Sequence, residues 1–172
     1  MTILFWILTA ALTAIDRATK AIAEANISEG ERISVLSLGD TDILAFSLHK
    51  NTGAAFSSFT GQTAALAAVT AIAMVLMTVY FHRIKHKHSF MTISFAMVVG
   101  GGIGNLYDRV FQGYVTDFIN MFPFNFIFNF ADICVVIGGI FLCIYYIFID
   151  EKYMKRFEEA PENASSSGGD DD

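Results

Sequence analysis

Phe128-Asn129-Phe130-Ala131-Asp132-Ile133-Cys134-Val135-Val136-Ile137-Gly138-Gly139-Ile140-Phe141-Leu142-Cys143-Ile144-Tyr145-Tyr146-Ile147-Phe148-Ile149 sets a polar signature ending in an aspartate directly against an uncharged apolar run. The run Ile133–Ile149 approaches the roughly 20 apolar residues that a helix needs to cross a bilayer. Working back along the chain, Phe90–Leu106 is a second such run, closed by Asn105 and by Asp108-Arg109. Ala64–Phe81 is a third and carries no charge, and Thr2–Ala23 is a fourth, with Asp16, Arg17 and Lys20 near its far end. With 54% hydrophobic residues, 16% charged residues and a mean hydropathy of +0.51, the 172-residue chain is too apolar for a soluble domain of its size. The blocks predict an all-α membrane protein with four transmembrane helices, forming one domain over residues 1–157. Residues 158–172, rich in Ser, Gly and Asp, are expected to be a disordered acidic tail.

Basic loops set the expected orientation. His82-Arg83-Ile84-Lys85-His86-Lys87-His88 joins spans two and three, and Lys152, Lys155 and Arg156 follow span four, so both loops and both termini are expected in the cytoplasm. The first span has no basic leader and no small-x-small site, and is read as retained. Between spans one and two, Ile33–Ser47 alternates apolar and polar residues around Gly39-Asp40-Thr41-Asp42, which predicts a small extracytoplasmic β element. Between spans three and four, Phe122, Phe124, Phe126, Phe128 and Phe130 alternate with other residues beside Pro123 and the asparagines. That segment suits the membrane interface, either helical or extended. The net charge of −6 owes much to the tail and implies no nucleic-acid partner. Cys134 and Cys143, nine residues apart on one helix, are too distant to bond and are read as small buried apolar residues.

In this topology the unusual polar residues gather at the outer leaflet: Asp16 and Lys20, Asn51, Asn105 with Asp108 and Arg109, Gly113-Tyr114-Val115-Thr116-Asp117, and Asp132. Ionisable groups at membrane depth are costly and mark function. Two carboxylates meeting at one depth, Asp117 and Asp132, form a candidate acid/base pair that shares a proton and titrates as a unit. A small transporter or channel subunit, with the acids as a proton or cation relay, is the competing reading.

Four ordered motifs resemble the lipoprotein signal peptidases, the type II signal peptidases of bacteria. They are Asp16-Arg17-Ala18-Thr19-Lys20, Asn51-Thr52-Gly53-Ala54-Ala55-Phe56-Ser57, Gly101-Gly102-Ile103-Gly104-Asn105 through Arg109 with Gly113–Ile119, and Phe128-Asn129-Phe130-Ala131-Asp132. The resemblance implies an aspartic intramembrane endopeptidase of the bacterial cytoplasmic membrane. It would cut the signal peptide from prolipoproteins immediately before a diacylglyceryl-modified cysteine, at the extracytoplasmic leaflet. Asp117 and Asp132 match the catalytic pair. Asn51, Gly102, Asn105, Arg109, Asn129 and Ala131 fall in the substrate-binding set, and Asp16, Lys20 and Asp108 in a supporting one. Membrane lipids and globomycin-type cyclic peptides are implied partners, with no metal and no cofactor. Arg17 departs from the glutamine common at that position and is read as flanking.

Several residues keep two readings. Arg109 could grip a carboxylate, a carbonyl or a headgroup, or be paired to Asp108. Asn129, three before Asp132, could cap a helix. Asp16 and Lys20, four apart, are placed for a mutual ion pair. Gly100 and Gly104 suit close helix packing, or a backbone that substrate approaches. The loop histidines, set among Arg83, Lys85 and Lys87, form a solvated basic face.

Overall fold

The structure, a computed structural model, describes residues 1–53, 63–124, 126–151 and 153. The expectations placed on Ala54–Ser57, Asn125, Lys152, Lys155, Arg156 and the acidic tail lie outside the described residues.

Four helices are long and apolar enough to cross a membrane. They are α1 (Thr2–Asn26), α2 (Thr63–Arg83), α3 (Ser89–Phe111) and α4 (Phe130–Ile144), the last continuing as a π-helical turn over Tyr145–Ile149. The third helix is the hub: it packs on each of the other three and is the most buried of them. Its glycines make this possible, because between them they face all three neighbours, Gly100 and Gly104 towards α1, Gly101 towards α4 and Gly102 towards α2. A Cβ at Gly100 would meet Thr9 and Leu12 of α1 at 3.1 Å, and one at Gly101 would lie 2.5 Å from the Ala131 carbonyl at the head of α4. One at Gly102 would collide with the Met74 sulfur of α2, and one at Gly104 with the Asp16 carboxylate. Small residues that let helix backbones approach are the usual device where no hydrophobic effect drives helices together.

Large apolar side chains such as Ile7, Ile15, Val69, Ile72, Val136 and Ile140 point outward, while Asp16, Lys20, Asp108, Asp117 and Asn129 are buried. This distribution reverses that of a water-soluble bundle and fits a hydrocarbon surround. One end of the bundle closes around Phe5, Phe81, Met91, Phe95 and Tyr145. The other end carries the polar residues and a sheet.

That sheet contains the β element expected between the first two helices and extends beyond it, into the segment between the last two. It has four antiparallel strands in the order β1 (Ile33–Leu38), β2 (Thr41–Asn51), β3 (Val115–Met121) and β4 (Ile127–Phe128). The segment between α3 and α4 is therefore extended. The long β2 offers β3 its second edge, pairing Leu44 with Met121, Phe46 with Ile119 and Lys50 with Thr116. Phe118 of β3 then turns inward and packs with Ala23 of α1 and Ile27 just past its end, supported by Phe46, Leu48 and Ile119. Phe122, Phe124 and Phe126 stay exposed. Cys134 and Cys143 are both free, and Cys143 is exposed rather than buried because it lies on the outer face of α4.

Candidate active site

Asp117 and Asp132 reach the same place from different kinds of element. Asp117 sits in β3, where Val115, Thr116, Asp117 and Phe118 are all buried, so no alternation marks the strand. Asp132 is the third residue of α4, whose N-cap is Asn129. The two close a capping box: Asn129 Oδ1 accepts the Asp132 N–H at 3.0 Å, and Asp132 Oδ2 accepts the Asn129 N–H at 3.1 Å. This satisfies helix-end donors and fixes the Asp132 carboxylate at the start of the helix.

Amides hold every carboxylate oxygen of the pair. Asp117 Oδ1 accepts from Asn129 Nδ2 at 2.6 Å, and its Oδ2 from Asn51 Nδ2 at 2.9 Å. Asp132 Oδ1 accepts from Asn105 Nδ2 at 2.8 Å. Asn129 thus caps α4, as its place three before Asp132 suggested, and donates to Asp117 as well. Asn51, the last residue of β2, is held in turn, because its Oδ1 accepts the Gly53 N–H at 3.0 Å.

Beside the amides lies a cluster of full charges. Lys20 Nζ is 2.8 Å from Asp16 Oδ2 and 2.8 Å from Asp108 Oδ2, with all three side chains wholly buried. Arg17 pairs with the other oxygen of Asp108 and stacks 4.5 Å over the Tyr107 ring. Asp108 is therefore the partner of Arg17 and Lys20. Among the described residues Arg109 makes no ion pair; its Nη1 reaches only the Asn105 carbonyl, at 3.4 Å. Asp16 Oδ1 accepts the Ala131 N–H at 3.0 Å, so the cluster also grips the head of α4. Lys20 donates to Asn105 Oδ1 at 2.8 Å, which obliges the Asn105 amide nitrogen to face Asp132.

A groove of about 330 Å³ leads to this centre between α2, α3 and α4. Asn105, Arg109 and Asp132 line its polar end; Val69, Ala73, Met74, Gly102 and Val136 line the rest. Of the residues named from sequence, Asp132, Asn105, Arg109 and Gly102 border the groove. Asn129 joins Asp132 to Asp117, Asn51 holds Asp117 from its other side, and Asp16, Lys20, Asp108 and the Ala131 backbone lie behind them. Sequence reasoning missed Met74 on the groove floor and gave Arg17 no partner. The only signal for Arg17 was an unmatched charge within an apolar span.

Burial pushes the Asp117 carboxyl up to about 7, and the neighbouring Asp132 charge adds to the rise. The amides of Asn51 and Asn129 pull the other way, favouring the charged form, but do not offset the lost hydration.

Paired carboxylates, one with a raised proton affinity, at the polar end of a groove between apolar helices are what a membrane-embedded hydrolase of the aspartic type would require. The comparisons say which one. The family model for Signal peptidase (SPase) II matches residues 8–148, and the chain belongs to that family. The lipoprotein signal peptidase of Clostridium novyi is 38% identical over 136 residues, covering 76% of this chain and 88% of that protein. The enzyme of the same name from Ectopseudomonas mendocina is 38% identical over 152 residues, covering 81% and 85%. A bacterial membrane enzyme solved by the in meso method at 2.3 Å superposes with a TM-score of 0.74 at 25% identity, over 92% of each chain. The protein is a bacterial membrane protease of the signal peptidase II type.

Proposed function

We propose that the protein removes the signal peptide from prolipoproteins by hydrolysing the bond immediately N-terminal to a diacylglyceryl-modified cysteine, with Asp117 and Asp132 as the catalytic pair. The observation that carries this is the joining of the two carboxylates through Asn129, at the polar end of a groove whose other walls are apolar. An acyl chain and the apolar part of a signal peptide can reach such a site without leaving hydrocarbon.

Like charges held together do not both ionise, so the pair carries one proton. We assign it to Asp117, the more buried partner. Both Asp117 oxygens already accept an amide N–H, so the acid proton points into the site, towards the scissile carbonyl. Asp132, then charged, takes a proton from the attacking water as the water oxygen bonds to the carbonyl carbon. Asp117 hydrogen-bonds the developing oxyanion. Collapse breaks the C–N bond, and the departing cysteine nitrogen takes up the proton gained by Asp132. Arg109, which makes no ion pair among the described residues, is the group left to hold a substrate carbonyl or headgroup, with Asn51, Asn105 and Asn129 placing backbone around it. Gly102 contributes wall, while the wholly buried Ala131 acts from behind the site through its N–H to Asp16.

The basic loops support placing both termini in the cytoplasm, and the sheet and the dyad at the extracytoplasmic leaflet. Globomycin-type cyclic peptides would compete for the same groove. The decisive assay incubates purified protein with a prolipoprotein bearing diacylglyceryl cysteine and with its unlipidated form, and sequences the products. The expected result is one new N-terminus at the lipidated cysteine, unaffected by chelator. Cleavage elsewhere, or of neither form, would refute the proposal.

A further inference from the structure

Thr116 stands next to Asp117 in β3, and strand alternation turns the two side chains to opposite faces. Asp117 faces the asparagines, while the wholly buried Thr116 faces α1 and α3. Its hydroxyl donates to Glu24 Oε1 at 2.5 Å, and its N–H reaches Asp108 Oδ2 at 3.4 Å. Glu24 lies one helical turn beyond Lys20 on α1, with its side chain exposed.

This end of β3 needs a tie. Val115, Thr116 and Asp117 pair with Asn51, Lys50 and His49 of β2, but β4 begins to pair only at Ile119 and Asn120. The residues around Asp117 therefore have a strand on one side only, and β2 breaks register between Phe46 and His49. A charge-assisted hydrogen bond from α1 supplies the second point of attachment.

We propose that Glu24 is a positioning residue, which acts through the Thr116 hydroxyl to hold β3 so that Asp117 meets Asn129 and Asp132. This rests on the reading of Asp117 as catalytic. Glu24 touches neither substrate nor dyad; it fixes the backbone that presents one of the acids. Small misplacements of an acid/base group lower turnover rather than binding.

The test measures kcat and KM on a diacylglyceryl-modified prolipoprotein for the full chain. The variants are Glu24→Ala, Glu24→Gln, Thr116→Val, Thr116→Ser and the double variant Glu24→Ala/Thr116→Val. Loss of one hydrogen bond to a charged acceptor should lower kcat about five- to tenfold in Glu24→Ala and in Thr116→Val, with KM within about twofold. Glu24→Gln and Thr116→Ser keep an acceptor and a donor and should recover most of the turnover. The double variant should lose no more than either single one. Glu24 is exposed, so its variants remain informative even where Thr116→Val folds poorly. Parental kcat in Glu24→Ala, additive losses in the double variant, or a change in KM alone would overturn the inference. A parent protein that cleaves nothing would overturn the functional reading and this inference with it; active variants beside an active parent overturn the inference alone.

Discussion

Two pairs of acids lie at the same end of the bundle, and their partners differ in kind. Asp16 and Asp108 are held by Lys20 and Arg17, each carboxylate facing a full positive charge. Asp117 and Asp132 are held by Asn51, Asn105 and Asn129, which donate hydrogen bonds without bringing charge. A buried carboxylate set directly against a cation serves as a fastening between elements. One cradled by amides is oriented yet able to gain and lose a proton, as peptide hydrolysis requires. The duty of an acid in this fold is legible in its neighbours more than in its own burial. The two regions meet at Asn105, whose oxygen accepts from Lys20 and whose nitrogen donates to Asp132.

Lys20→Met should break the contrast most severely. It leaves Asp16 without a cation and Asp108 with Arg17 alone, and frees the Asn105 amide to turn away from Asp132. Removing one member of a buried ion pair costs about 3–5 kcal/mol, so a large fall in melting temperature and in yield is expected. A protein that melts normally would show the cluster to be ornamental.

Asp117 should show the opposite stability behaviour. Its folded value, about 7, lies above the ordinary 3.8, so the folded protein holds a proton that the unfolded chain releases. Stability should therefore be greatest in acid and fall as pH rises between those values, by a few kcal/mol in the parent. Thermal melts across that window should show the slope in the parent and a flatter profile in Asp117→Asn.

Asn51→Ala sharpens the same point on activity. The Asn51 amide favours the charged form of Asp117, so its loss should raise the proton affinity further. With Asp117 as the acid, the alkaline limb of the cleavage profile should then move to higher pH, by on the order of one unit or less. A shift to lower pH would reverse the roles assigned to the two aspartates.

Arg17→Gln should have the smallest effect. Asp108 keeps Lys20, and the Arg17 side chain is about a quarter exposed, at 26%. A loss on the order of 1 kcal/mol, with cleavage retained, is expected from melts and turnover measured together.

Much of this was open to a reader of the sequence, and the remainder was hidden for identifiable reasons. The spans announce themselves by length, and the Asp16–Lys20 pair by its four-residue spacing. The glycines of α3 point to packing, but which helix each one admits depends on partners such as Thr9, Met74 and Ala131 that no local pattern names. Strand β3 was hidden because it is buried on both faces through Val115–Phe118, which removes the period of two. The neighbouring phenylalanines alternate without settling helix against strand. Arg17 looked peripheral because Asp108, its partner, stands 91 positions away. Contacts of that range follow from the assembled fold alone.

The central claim is that the amide-held pair performs the cleavage and the charge-held pair does not. The most direct measurement is single-turnover cleavage of a diacylglyceryl-modified prolipoprotein by Asp117→Asn and Asp132→Asn, each shown by melting to be folded. Both should fall at least about a thousandfold below the parent, since each removes a proton-transfer group. Cleavage near the parental rate by either folded variant would contradict the account and remove that aspartate from the reaction.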